Sequence, residues 1–117
     1  MASNIYDLAY ELENALKNSQ EYKTLQAKYE DIRMDPAAKK LFDQFRNIQM
    51  KLQEKQMTGQ NISQNEVQEA QSVAAMVQQN PKIVQLMDAE QHMSIAINEV
   101  NKIVMKPLDE LYGKMSQ

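Results

Sequence analysis

Apolar positions recur at steps of three and four along most of the chain, and the longest such run begins at Asn80. From there to Tyr112, Ile83, Leu86, Met93, Ile97, Val100, Val104 and Leu111 form one seam, with Glu90 and Pro107 standing at the missing steps. That spacing predicts a helix that packs along its length, opened by Asn80 as cap and Pro81 as first helical residue. Such a helix would span about 50 Å, whereas a compact monomer of this size is only about 35 Å across. Either Pro107 breaks it, or a second chain covers the overhang.

Earlier in the chain the same periodicity is divided by cap residues. Asn4 or Ser3 can cap a first helix with Ile5, Leu8, Leu12 and Ala15 or Leu16 on its apolar stripe, ending near Lys17. Asn18 and Ser19, with Glu21 following, mark a second start for a helix carrying Tyr22, Leu25, Tyr29 and Ile32; a continuous kinked helix is the alternative. Asp35 before Pro36 is firmer, because proline disfavours helical geometry in the residue before it but suits the first helical position. A third helix is predicted from Pro36 to about Met57, burying Ala38, Leu41, Phe42, Phe45, Ile48 and Leu52, with Gly59 as terminator. Ser63 and Glu66 form a capping box, Ile62 and Val67 have the spacing of a hydrophobic staple, and Val67, Ala70, Ala74 and Val77 continue as the stripe of a fourth helix.

No alternating strand pattern persists, and Ala, Leu, Met, Glu, Gln and Lys favour helix. The prediction is all-α: about five helices in an elongated bundle with a long C-terminal helix, a single domain over residues 1–117, forming a homodimer. No stretch approaches the roughly 20 apolar residues of a membrane span, and the N-terminus lacks the basic and apolar regions of a secretion signal. A soluble, cytoplasmic protein is the expectation.

Chemistry is sparse. With no cysteine in 117 residues, disulfides, thiolate metal sites and cysteine nucleophiles are excluded. Two glycines cannot build a phosphate-binding loop. The lone histidine, His92, stands four residues after Asp88, which suits an exposed helical pair better than a metal site needing three or four ligands. No catalytic, cofactor or metal residue is assigned. Glu90 is expected at the wet edge of the bundle; if buried, it would need a partner and could set helix register.

A net charge of −3 argues against a nucleic-acid or anionic-membrane surface. Lys40, Lys51 and Lys55 share one side of the third helix and are the best local basic face, but Asp43 and Glu54 dilute it and no aromatic residue is interleaved for base stacking. The nine methionines, Met87, Met93 and Met105 among them, suit core filling, or else an adaptable groove for a partner.

Three stretches carry a family likeness: Ser19-Gln20-Glu21-Tyr22, then Asp35-Pro36-Ala37-Ala38-Lys39-Lys40-Leu41 with Phe45, then Asn80-Pro81-Lys82-Ile83 followed by Ala89-Glu90. They resemble the YlbF/YmcA-like family of small helical bacterial proteins, and the whole chain looks most like its YheA branch. The resemblance implies an all-helical, self-associating cytoplasmic protein of a Firmicute-type bacterium. It also implies a non-catalytic regulatory role, since better-understood relatives are subunits of a complex linked to ribonuclease Y-dependent RNA maturation, competence, sporulation and biofilm formation. Those relatives are associated with cysteine-ligated iron-sulfur clusters, a property a cysteine-free chain does not inherit. The leading expectation is an interaction protein with an unidentified protein partner; an RNA-associated factor is the rival.

Overall fold

The computed structural model describes residues 4–115, and among them every regular element is helical. The order is α1 (Ile5–Lys17), α2 (Gln20–Arg33), α3 (Pro36–Thr58), α4 (Gln64–Gln78) and α5 (Pro81–Met115). Each boundary has a local cause. Asn4 accepts a hydrogen bond from the Asp7 amide at 2.9 Å, and Asp35 accepts one from Ala38 at 3.1 Å. Ser63 and Glu66 complete their reciprocal capping box, and Asn80 accepts from the Ile83 amide at 3.2 Å. Gly59 ends α3 in the left-handed region with φ of 72°, where a side chain would be strained. Ser3, the alternative first cap, lies outside the described residues.

At the α1–α2 junction the roles of the two polar residues are separated. Asn18 closes α1, its side chain donating to the Asn14 carbonyl, whereas the Ser19 hydroxyl donates to Leu16 and accepts from the Tyr22 amide. Ser19 is thus the residue that opens α2. The reason is geometric: it lies three before Tyr22, the spacing a cap side chain spans.

Contacts group the chain into two compact units, one of residues 26–88 and one combining 1–25 with 89–117. In the first, α3 and α4 pack together, and the core is Ile32, Ala38, Phe42, Val73, Val77, Ile83 and Leu86. Tyr29 meets Phe42 edge to face at 6.4 Å, and Arg46 stacks its guanidinium over the same ring at 5.4 Å. On α4 Val73 and Val77 are buried while Val67 is exposed, so the stripe is centred on Ala70, Val73, Ala74 and Val77.

The second unit is differently furnished. Among its described residues Ala89 and Met93 are the buried apolar ones, and α1 buries nothing despite its stripe. Along the α5 seam Ile83, Leu86 and Met93 are buried and Val100 is half-buried, but Ile97 and Val104 face solvent. As intrachain core the seam therefore ends near Val100. Pro107 does not break the helix, which continues to Met115.

Candidate functional site

Three surfaces gather the residues able to act on other molecules. The first lies between α3 and α4. Lys55 donates to Glu66 Oε1 at 2.6 Å, and Lys51 stands 4.0 Å from Oε2 of the same carboxylate. Glu66 also receives the Ser63 amide at 3.1 Å, so one side chain caps α4 and ties it to α3. Those donors, Lys55 first, hold the Glu66 carboxyl down to about 2. Its Oε2 has no hydrogen-bond donor among the described residues, and the nearby Lys51 ammonium supplies the compensating charge.

This clamp changes the meaning of the basic face. Lys51 and Lys55 are on the predicted side of α3, but Lys55 is mostly buried and committed to Glu66. Lys40 remains exposed, in an open groove of about 720 Å³ that it shares with Lys39, Asp43, Asn47, Lys51 and Glu69. Lys39 is neutralised by Asp43 at 2.8 Å. The groove is consequently mixed in charge rather than cationic.

The second location is the junction of α3 with the start of α5. Asp35 caps α3 through one carboxylate oxygen and accepts from Lys82 at 3.1 Å through the other. The Ala38 amide, with Lys82 second, holds Asp35 below the usual carboxylate range. Nearby, Lys28 donates to Gln85 at 3.1 Å, a further link between α2 and α5. These residues orient helices and leave no vacant carboxylate pair for acid-base work.

Asp88, Glu90 and His92 follow one another on α5, with Asp88 and His92 exposed and Glu90 half-buried, at the rim of the seam. Among the described residues no three His, Asp or Glu side chains converge as metal ligands would. No described helix is long and apolar enough to cross a membrane.

The third surface is apolar. On α1, Ile5, Tyr6, Leu8 and Tyr10 are all more than half exposed; on α5 so are Ile103, Val104, Leu111, Tyr112 and Met115. Isolated exposed apolar residues are ordinary, but an entire helical face left in water marks an interaction site. Periodicity identified these faces without indicating that the chain leaves them uncovered. The Lys55–Glu66 link was also hidden in the sequence, where Glu66 shows only its role as a cap.

The chain is similar over residues 5–109 to the family described as "Control of competence regulator ComK, YlbF/YmcA". It is 54% identical over 115 residues to the UPF0342 protein YheA of Bacillus subtilis strain 168, covering 98% of each chain. A UPF0342 protein of Bacillus pumilus is 55% identical over 113 residues, 97% of this chain and 96% of the relative. Two solved structures share the fold. A protein of unknown function (DUF964) from Bacillus stearothermophilus superposes with a TM-score of 0.83 at 45% identity, covering 92% of this chain and 95% of its own. The yheA protein from Bacillus subtilis superposes with a TM-score of 0.73 at 44% identity, covering 94% and 100%. Matched by the family model from residue 5 to residue 109, this chain belongs to the YlbF/YmcA family.

Proposed function

We propose that this protein is a non-catalytic regulatory protein of the cytoplasm, which self-associates as a homodimer and acts through contacts with another protein. The observation that carries the reading is the apolar surface of α1 and of α5 beyond Val100, exposed in a chain whose Asp35 and Glu66 carboxylates are engaged in caps and interhelical links. Surfaces of that kind are built for burial against another polypeptide. The description of the matched family, control of a competence regulator, accords with a regulatory role.

An RNA-associated role, of the kind linked to ribonuclease Y-type maturation in relatives, is the second reading, and Lys40 in its open groove is what favours it. Against it stand the Lys55–Glu66 and Lys39–Asp43 pairs, which cancel charge that a phosphate backbone would need.

Purification at native expression, with mass-spectrometric identification and binding of the recovered partner remeasured from pure components, tests the reading. A protein that binds stoichiometrically, with function retained in Asp88→Asn and His92→Ala, is the expected result. Single-stranded RNA binding that falls at least tenfold between about 50 and 200 mM salt and is lost in Lys40→Glu would replace it with the RNA reading.

A further inference from the structure

The C-terminal half of α5 carries an apolar strip with an internal symmetry. Ile97, Val100, Val104, Leu108, Leu111 and Met115 follow at steps of three, four, four, three and four, which places all six on one side of the helix. Glu99, Lys102, Lys106, Asp109 and Glu110 fall on the opposite side. Every residue from 101 to 115 is exposed, Val104, Leu111 and Met115 at 60%, 57% and 81%. The strip extends about 27 Å at 1.5 Å per residue, and its continuity depends on α5 running unbroken through Pro107.

Reversed about position 106, the strip maps onto itself. Ile97 falls opposite Met115, Val104 opposite Leu108, and Val100 opposite Leu111 within one residue. Each pair sets a β-branched side chain against a longer, unbranched-at-Cβ one, the size alternation that lets facing helices interdigitate. Self-complementarity on reversal is what a two-fold interface requires and what an unrelated partner does not.

We infer that residues 97–115 of α5 pair antiparallel with the same segment of a second copy of this chain, around a two-fold axis near Lys106. The inference rests on the interaction-protein reading and specifies its assembly. The Ile5, Leu8 and Leu12 stripe of α1 belongs to the same compact unit and is exposed as well, and exposed apolar surface of this kind is what a stable interface, taking about 800 Å² from each partner, draws on.

The absence of cysteine allows single labels to be introduced cleanly on the flanks of the strip. Spin labels at Met105→Cys, one residue from the axis, should report a short distance across it. At Lys114→Cys the two labels should be displaced along the helices by about 24 Å, because each lies eight residues from the axis. Sedimentation should give a dimer at tens of micromolar, and Val104→Asp combined with Leu108→Asp should halve the mass. Helix content should survive, since both side chains are already exposed in the protomer. Equal distances at the two positions, or a dimer indifferent to the double substitution, overturn the register while leaving self-association in place. A monomer at about 100 μM overturns both, and a dimer of this register that binds no protein partner overturns only the regulatory reading.

Discussion

Residues 26–88 and the unit formed by 1–25 with 89–117 share helical periodicity and well-defined helices, yet treat their apolar faces in opposite ways. In the first, Phe42, Val73, Val77, Ile83 and Leu86 are buried where α3, α4 and the start of α5 supply facing walls. In the second, α1 buries no side chain and α5 is exposed throughout its last fifteen residues. A stripe at steps of three and four therefore says that a helix wants a neighbour and is silent on whether its own chain provides one. The difference divides the molecule into a part that stabilises the protomer and a part available for association.

Truncation should separate the two parts most sharply. Leu86→Ala removes a wholly buried side chain and should cost about 2–5 kcal/mol in urea unfolding, the range for cavities left in a packed core. Leu111→Ala, on an exposed position of the same helix, should change protomer stability by less than about 0.5 kcal/mol when measured in dilute solution. Comparable losses at both positions would mean that α5 is buried along its length by the chain itself.

A second test addresses the link that makes residues 26–88 cohesive. Because Glu66 is held at about 2 in the folded protein and returns to its ordinary value near 4.5 on unfolding, its contribution is complete above that ordinary value and is lost as pH falls toward 2. Thermal midpoints should drop across this acid window, and Glu66→Gln should lower the neutral-pH midpoint while flattening the decline. Lys55→Met should act in the same direction, since it removes the first of the donors that stabilise the carboxylate. An unchanged acid limb in Glu66→Gln would remove this pair from the account of stability.

Smaller effects test local geometry. Gly59→Ala has open space around the new Cβ, so its cost should be that of the left-handed backbone alone, roughly 1 kcal/mol, read from urea midpoints. Smallest of all should be His92→Ala, at less than about 0.5 kcal/mol in stability and with cellular function retained, because the imidazole is on the exposed side of α5. A well-folded His92→Ala protein with a null phenotype would direct attention to Asp88, Glu90 and His92 as a site.

Of all this, the helix starts were the most legible from residues alone. Asn4, Asp35, Ser63 and Asn80 each satisfy an amide three residues away, and a bond that short in sequence is determined by its immediate neighbours. Gly59 is readable for the same reason. The Asn18 and Ser19 pair was less so: two adjacent residues could each cap, and their roles separate only when Asn18 closes one helix and Ser19 opens the next. The metal and catalytic motifs considered in the sequence were limited by residue type, a constraint that needs no coordinates. For the basic face, residue type was insufficient, because charge on Lys55 is useful to a ligand only if no carboxylate of the chain has claimed it.

The sequence by itself determined an all-helical chain, its boundaries and which side of each helix is apolar, because these depend on hydrogen bonds and spacings within about four residues. Tertiary structure decided which apolar sides are covered, that Glu66 reaches across eleven residues to Lys55, and that α5 continues through Pro107. The missing amide of Pro107 removes one backbone bond, and the helix persists where the residues on both sides continue it. Burial, unlike capping, depends on how many helices surround a position, and that number differs between Leu86 and Leu111 although both stand on the same seam.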